Sequence, residues 1–210
     1  MEESRVREIF AQTGAVITDS HIVYASWKHG SDYLNKDAVY PYTEETDELC
    51  QGIADRFQND NVEVVVAPAV GGVILSQGVA RHLTKMTGQR VFGIYADKEE
   101  GDVLVIKRGY DKYVSGKRVL VVDDVLTTGG SVKKLVELVK KMGGILAGVG
   151  VLCNRGNVQP EDIGDIPRLE ALINVRMATY EEVECPLCAQ GVPINTELGR
   201  GKEYLAKKNQ

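Results

Sequence analysis

The sequence of 210 residues lacks three features that would each indicate a class of protein. It has no run approaching the ~20 apolar residues that span a bilayer, no apolar segment behind its polar N-terminus that would form a signal peptide, and no excess of positive charge. Lys and Arg number 25 against 30 Asp and Glu. We therefore expect a cytoplasmic protein with neither a membrane nor a nucleic-acid partner, since nucleic-acid binders usually carry a basic excess.

Cysteine is also scarce, with four residues in the chain. Two of them, Cys50 and Cys153, are isolated in apolar stretches, which is typical of reduced thiols rather than of a disulfide framework. Cys185 and Cys188 have the spacing of half a tetrahedral zinc site. No second pair accompanies them, because the histidines are scattered far upstream: His21, His29 and His82. We interpret the cysteine pair as a structural turn; zinc shared across a dimer and a partner thiol are the alternatives.

The sequence contains no internal repeat and no low-complexity linker, and apolar strands alternate with helical segments along it. Unbroken apolar strands between helices are typical of a parallel sheet covered on both faces. Strands are predicted over 62–67, 90–96, 117–122 and 145–153, with an edge strand after Asp165. A helix is predicted over 3–13, and another begins at Thr43, whose hydroxyl and following acids are typical of an N-cap. The predicted fold class is α/β.

The most informative segment follows the strand over 117–122, where two carboxylates precede a loop of hydroxyl and glycine residues. The carboxyl ends of strands bind ligands in open α/β sheets, and such a loop at a helix start suits a phosphate. The loop consists of Thr127, Thr128, Gly129, Gly130 and Ser131. Asp123 and Asp124 would repel phosphate, so they suit sugar hydroxyls or a divalent cation; capping or solvated acids are the alternative. No P-loop motif is present, and Gly148 and Gly150 lack the third glycine of a dinucleotide fingerprint.

This segment resembles the phosphoribosyl-pyrophosphate (PRPP) signature of type I phosphoribosyltransferases. The resemblance implies a doubly wound, mainly parallel sheet with helices on both faces, an N-terminal hood and a flexible lid loop. It also implies that Asp123 and Asp124 contact the ribose hydroxyls and that the loop 127–131 binds the 5-phosphate. Mg²⁺ would enter with PRPP, near these two carboxylates, without direct protein ligands of its own.

Two further segments resemble parts of the same family. The residues after the first central strand resemble its pyrophosphate loop: Ala69, Val70, Gly71 and Gly72. An ordinary β-to-α turn is the alternative there. The charged stretch between the second and third strands resembles the catalytic lid, and its candidate cations for pyrophosphate are Lys98, which we expect to be catalytic, Lys107 and Arg108. A solvated charged hairpin is the alternative for this stretch.

Within the family, the chain is most similar to orotate phosphoribosyltransferases, through segments 13–16, 26–33, 106–110, 184–188 and 191–193. This resemblance implies that Arg155 and Thr127 bind the base, with Lys28 and Tyr33 of the hood as further candidates. The chain departs from the pattern at Ala25, where some members have a base-contacting lysine. It departs again at Ser26-Trp27, where the family usually has Ser-Gly. Trp27 either stacks on a base or fills the core of the hood.

The resemblance implies transfer of ribose 5-phosphate from PRPP to orotate in pyrimidine biosynthesis, by a homodimer that uses Mg²⁺. A phosphoribosyltransferase for a purine or another base and a non-catalytic PRPP-sensing regulator are the alternatives. We predict a single domain, with an N-terminal helix and hood over 1–42. An α/β core follows over 43–165, with the lid at about 97–113, and then an edge strand and tail over 166–210.

Overall fold

The computed structural model describes residues 1–24 and 26–208, which form two compact units. The first unit contains residues 1–9 and 40–175, and the second contains residues 10–39 and the described residues from 176 onward. The single domain stays a prediction. Within the described part of the chain, no helix is long and apolar enough to cross a membrane.

Strands and helices follow one another along most of the chain. The strands are β1 (Val16–Ile17), β2 (Ile22–Val23), β3 (His29–Gly30), β4 (Tyr33–Leu34), β5 (Val64–Pro68), β6 (Phe92–Glu99), β7 (Val103–Val105), β8 (Arg118–Leu126), β9 (Ile145–Asn154) and β10 (Leu169–Asn174). The α-helices are α1 (Glu3–Gln12), α2 (Thr43–Phe57), α3 (Gly72–Thr87), α4 (Gly130–Lys141), α5 (Pro160–Ile163), α6 (Pro186–Ala189) and α7 (Gly201–Lys208).

A six-stranded sheet with the order β10-β9-β8-β5-β6-β7 forms the centre of the first unit. Neighbouring strands are parallel except β6 and β7, which form an antiparallel hairpin at one edge. The strand after Asp165 lies at the opposite edge as β10. The prediction of an α/β fold with a mainly parallel sheet is confirmed.

Helices cover both faces of this sheet, because its central strands are apolar on both sides. The helices α2 and α3 pack together and against the strands, while α4 contacts β5, β8 and β9 through a buried cluster that includes Val132, Leu135 and Val139. The helix predicted to begin at Thr43 is present, but Thr43 is not its N-cap. Tyr42 occupies that position without a side-chain cap bond, and Thr43 is already helical.

Strand β8 is longer than its pattern predicts and does not end at Val122. It continues through both carboxylates to Leu126, because β9 extends equally far and pairs with it up to Asn154. Its other neighbour, β5, pairs with it only as far as Val121. The chain leaves β5 toward β6 on one side and returns to β8 on the other, so a topological switch point lies between β5 and β8. Ligands bind at such points in open α/β sheets.

The second unit is built from two segments that are distant in sequence. Its short strands pair antiparallel, β1 with β4 and β2 with β3. The later segment joins this scaffold through a bridge between His29 and Tyr180 and through the Asn195 N–H, which donates to the His21 carbonyl at 2.8 Å. The helix α7 packs against β2.

Candidate active site

The two carboxylates of β8 are buried and held by backbone groups next to them. Asp123 is 9% exposed and Asp124 is 4% exposed. The Asp124 N–H donates to Asp123 Oδ1 at 2.9 Å, and the Val125 N–H donates to Asp124 Oδ1 at 2.7 Å. The Tyr40 hydroxyl reaches Asp124 Oδ2 at 3.4 Å. The carboxylates are therefore oriented at the switch point, and Tyr40, 84 residues away in sequence, is a contact that no local pattern predicts.

The predicted phosphate loop lines a small cavity at the N-terminus of α4. Residues from Asp123 to Val132 enclose about 180 Å³, which is below the ~300 Å³ at which pockets for drug-sized molecules begin. Gly129 has φ = +74°, and a Cβ on it would lie 2.5 Å from Ile163 Cγ2. A glycine is thus required there by both backbone and packing. The geometry suits one phosphoryl group, bound by hydroxyls and helix N-terminal N–H groups.

Arg155 lies beside this loop because the end of β9 is bonded to the end of β8. The N–H groups of Arg155 and Gly156 donate to the Leu126 carbonyl at 2.8 and 3.0 Å. The guanidinium donates from Nη2 to Thr127 Oγ1 at 3.1 Å. The structure thus brings together the two residues of this unit that we predict to bind the base, although their role stays a prediction.

Gly156 is a site residue that we did not predict from the sequence. A Cβ at this position would overlap the carbonyl oxygen of Thr127. Only a glycine therefore allows β9 to approach the phosphate loop so closely. The side chain of Asn154 closes the same turn, because it accepts from the Val158 N–H at 3.0 Å and donates to the Val158 carbonyl at 2.9 Å. The short Asn-Arg-Gly-Asn sequence after a strand is the signal that could have indicated this turn.

The predicted pyrophosphate loop connects β5 to α3 on the other side of the switch point. The Ala69 N–H donates to the Ala96 carbonyl at 2.8 Å, and the peptide between Ala69 and Val70 is cis. The Val70 side chain is 86% exposed, so the loop turns away from the core. Gly72 begins α3, and a Cβ there would lie 2.6 Å from that of Ala67. The loop therefore places the N-terminus of α3 at the ligand-binding edge, where the first N–H groups of a helix lack intrahelical partners.

The predicted lid is the hairpin of β6 and β7 with the segment that follows it. Its three candidate cations are more than half exposed, and each is paired with an acid of the same lid. Lys98 pairs with Asp102, Lys107 pairs with Glu99, and Arg108 pairs with Asp97 at 3.4 Å.

Asp102 is the most strongly paired of these acids. Lys134 of α4 and then Lys98 lower the pKa of its carboxyl to about 2. The ion pair between Asp102 and Lys134 therefore connects the lid to α4 at neutral pH. The lid cations must break their ion pairs with these acids before they can bind a phosphate ligand.

Lys28 and Tyr33 belong to the second unit. Lys28 Nζ pairs with Glu181 Oε1 at 3.0 Å, and Tyr33 is half-buried in β4. Lys207 Nζ lies over the Trp27 ring, 3.9 Å from its centroid, so a cation covers one face of the indole in this structure. Ala25 lies outside the described residues. The base-binding role of Lys28 and Tyr33 stays a prediction.

Comparison with known proteins identifies relatives over most of the chain. Residues 35–181 match the phosphoribosyl transferase domain family. The orotate phosphoribosyltransferase of Caldanaerobacter subterraneus subsp. tengcongensis is 37% identical over 194 residues, which cover 92% of this chain and 96% of that protein. The orotate phosphoribosyltransferase of Pelotomaculum thermopropionicum is 39% identical over 193 residues, which cover 92% and 95%.

Solved structures share the fold at lower identity. The orotate phosphoribosyltransferase of Aeropyrum pernix has a TM-score of 0.62 at 22% identity, and the match covers 80% of this chain and 93% of that one. The adenine phosphoribosyltransferase of Thermoanaerobacter pseudethanolicus has a TM-score of 0.61 at 20% identity, over 80% and 99%. At these identities the likeness shows the fold alone.

Proposed function

Because this chain belongs to the phosphoribosyl transferase family, we propose that it is an orotate phosphoribosyltransferase. The enzyme transfers ribose 5-phosphate from PRPP to a ring nitrogen of orotate. The bond between ribose C1 and the pyrophosphate oxygen breaks, a bond between C1 and the ring nitrogen forms, and that nitrogen loses its proton. The products are orotidine 5-phosphate and pyrophosphate.

One arrangement carries this proposal: two buried carboxylates, a phosphate loop and an arginine meet at one edge of the sheet. Asp123 and Asp124 lie at the switch point, and Arg155 is bonded to Thr127 in the loop that follows them. A ribose whose 5-phosphate occupies the loop would have its hydroxyls near the carboxylates. The guanidinium offers the planar pair of donors that suits a carboxylated pyrimidine.

Catalysis in this site relies on orientation and electrostatics. Positive charge develops on the ribose as the pyrophosphate departs, and the two carboxylates stabilise that charge while they hold the sugar hydroxyls. The N–H groups of Val70, Gly71 and Gly72 and the cations of the lid receive the negative leaving group. Lys98 must leave Asp102 to do so, which couples lid rearrangement to substrate binding.

Mg²⁺ fits the donors that this chain provides, because carboxylate oxygens are hard ligands of the kind that magnesium prefers. We expect PRPP to supply its direct ligands, with Asp123 and Asp124 beside it. When bound, the ion would neutralise pyrophosphate charge and help to orient the ribose.

A panel of bases tests the proposal directly. The full chain is incubated with PRPP and Mg²⁺ and with orotate, uracil, adenine, guanine or hypoxanthine, and pyrophosphate release is followed by a coupled assay. We expect release with orotate, accompanied by loss of orotate absorbance. Release with a purine alone would establish the alternative enzyme. Binding of PRPP without turnover of any base would overturn catalysis and favour the sensing regulator.

We also propose that the enzyme is a cytoplasmic homodimer in which the lid acts on the partner's site. No disulfide joins its cysteines in the part of the chain that the structure describes, which is consistent with a reducing compartment. Lys98→Ala and Asp124→Asn should each be inactive, because each variant lacks a different part of the site. Mixing and reassociating the two variants restores part of the activity if the lid acts across subunits. Inactive mixtures, despite exchange of labelled subunits, would place the lid and the carboxylates in one chain.

A further inference from the structure

Four side chains with metal-binding atoms meet in the second unit, and the proposed reaction uses none of them. They are His21, His29, Cys185 and Cys188, and one ligand atom from each lies within 4.8 Å of all the others. The first three are buried and Cys188 is half-buried. In the sequence, the two cysteines form half a site without a neighbouring second pair. The fold brings His21 and His29 to the cysteines as the second pair, although His21 and Cys185 are 164 residues apart in the sequence.

Four of the six separations between the ligand atoms are close to those expected for a tetrahedron around one ion. With Zn–N bonds of ~2.05 Å and Zn–S bonds of ~2.3 Å, tetrahedral angles place two nitrogens about 3.4 Å apart and a nitrogen and a sulfur about 3.6 Å apart. His21 Nε2 and His29 Nδ1 are 3.0 Å apart. Cys185 Sγ and Cys188 Sγ lie 3.7 and 3.6 Å from His21 Nε2, and Cys188 Sγ lies 3.3 Å from His29 Nδ1.

The hydrogen bond of His21 directs a lone pair into the cluster. Its Nδ1 is 2.7 Å from the Val192 carbonyl oxygen, which can only accept, so Nδ1 carries the hydrogen. Nε2 is then the basic nitrogen and faces the other three ligand atoms. Metal-binding histidines usually donate their second nitrogen to a carbonyl in this way, which fixes the ring for the metal.

His29 presents its Nδ1 to the same point. Its Nε2 is buried and has no hydrogen-bond partner among the described residues, and the ring of Tyr204 packs edge-on with centroids 5.1 Å apart. If Nε2 carries the hydrogen, the lone pairs of His21 and His29 face each other at 3.0 Å with nothing between them. A bridging cation removes that repulsion and satisfies all four ligand atoms at once.

Backbone hydrogen bonds hold His29 and the cysteine turn in place. His29 lies in β3 and exchanges two backbone hydrogen bonds with Tyr180, at 2.8 and 2.9 Å. The cysteines flank the start of the short helix α6, and its end is closed by the Gly191 N–H, which donates to the Cys188 carbonyl at 3.0 Å. Ligands fixed in this way need little rearrangement to bind an ion.

We propose that these four residues bind one Zn²⁺ in a closed, structural Cys₂His₂ site. Two thiolates and two imidazoles are the donors that favour zinc in tetrahedral geometry, and four protein ligands leave no position for substrate or a catalytic water. On binding, both thiols release their protons to solvent, so the site becomes electrically neutral. The ion would cross-link the early and late segments of the second unit.

The composition of this unit explains why it would benefit from a metal. Its buried apolar residues are few for a unit of about 65 residues, a size at which cores are marginal. They are Phe10, Ala15, Ile22, Val23, Tyr24, Leu34, Val39, Cys185 and Tyr204. Small units of this kind often depend on a structural metal for stability.

Metal analysis of the full chain, purified without chelator and without a metal-affinity tag, tests the proposal. We expect about one zinc per chain by mass spectrometry. A mercurial thiol reagent should release this zinc to a colorimetric indicator in step with modification of two thiols. Replacement of zinc by Co²⁺ should give the visible absorption of tetrahedral cobalt with thiolate ligands. None of these readouts depends on catalytic activity.

Matched variants separate this cluster from the remaining cysteines and histidine. Cys188→Ser and His29→Asn should lower the zinc content to below about 0.1 per chain. Cys50→Ala and His82→Asn should retain it, because Cys50 is a buried thiol whose pKa burial raises to about 12, and His82 bonds to Asp47. Wild-type protein with less than about 0.1 zinc per chain and no cobalt spectrum would overturn the proposal. A disulfide between Cys185 and Cys188 would do so equally.

Discussion

Replacing Gly129 with alanine tests the geometry of the phosphate loop, because the structure predicts two separate penalties. The first is backbone strain: φ is +74°, where an L-residue with a Cβ costs about 1–2 kcal/mol. The second is a collision, since the new Cβ would lie 2.5 Å from Ile163 Cγ2. Ordinary contact begins near 3.4 Å, which leaves about 0.9 Å for the loop or Ile163 to absorb.

Gly88→Ala separates the two penalties. Gly88 ends α3 with φ = +70°, and a Cβ there would meet nothing within 4 Å. It should lose about 1–2 kcal/mol of unfolding free energy while kcat/KM stays unchanged. Gly129→Ala should lose a further 1–3 kcal/mol or so through overpacking. Its kcat/KM for PRPP should fall about 10- to 100-fold, because an error of about 1 Å in the bound geometry costs ~10²-fold.

Chemical denaturation and steady-state orotate consumption measure the two effects. A double variant that also carries Ile163→Ala removes the colliding methyl group, so its activity should recover toward that of Ile163→Ala alone while the backbone strain remains. A Gly129→Ala variant whose kcat/KM stayed within about three-fold of Gly88→Ala would refute this account of the loop.

Three further outcomes follow from the site and the sheet. Asp124→Asn should lower kcat by about 10²-fold or more without changing the melting temperature, because it removes charge beneath the developing cation and preserves shape. Arg155→Lys should raise KM for orotate about ten-fold with little change in KM for PRPP, since lysine lacks the planar donor pair. Lys117 holds the pKa of Glu63 below its usual value, so Glu63→Gln should lower the unfolding free energy at pH 7 by about 0.5 kcal/mol. That loss should disappear as the pH falls through the folded-state pKa of Glu63, as denaturation at a series of pH values from 7 downward would show.

The two variants in the site have matched controls. Glu137→Gln, on the exposed face of α4, makes the same carboxylate-to-amide change as Asp124→Asn and should retain full activity. Arg90→Lys makes the same substitution as Arg155→Lys at an exposed position and should leave both KM values unchanged. Wild-type turnover in Asp124→Asn, an equal rise of both KM values in Arg155→Lys, or a pH-independent loss in Glu63→Gln would contradict the role assigned to that residue.

The core and the loop 127–131 could be located from the sequence because both are local patterns, while the binding of phosphate by that loop stays a prediction. The central strands β5, β8 and β9 contain continuous apolar stretches, such as 64–67 in β5 and 119–122 in β8. Burial on both faces requires that composition whatever the neighbouring strands are. The residues 123–131 are contiguous, so their spacing survives folding unchanged. Strand ends were less predictable: β8 continues past Val122 because β9 offers it partners up to Asn154.

Only the tertiary structure decided which distant side chains meet. Tyr40 reaches Asp124, Gly156 leaves room for Thr127, and the lid cations pair with acids of their own hairpin. The two histidines of the second unit join the Cys-Pro-Leu-Cys turn across more than three quarters of the chain. The residue types were visible in the sequence, but their distances depend on strand order, register and loop closure. Those are properties of the whole packed chain, and no short segment encodes them.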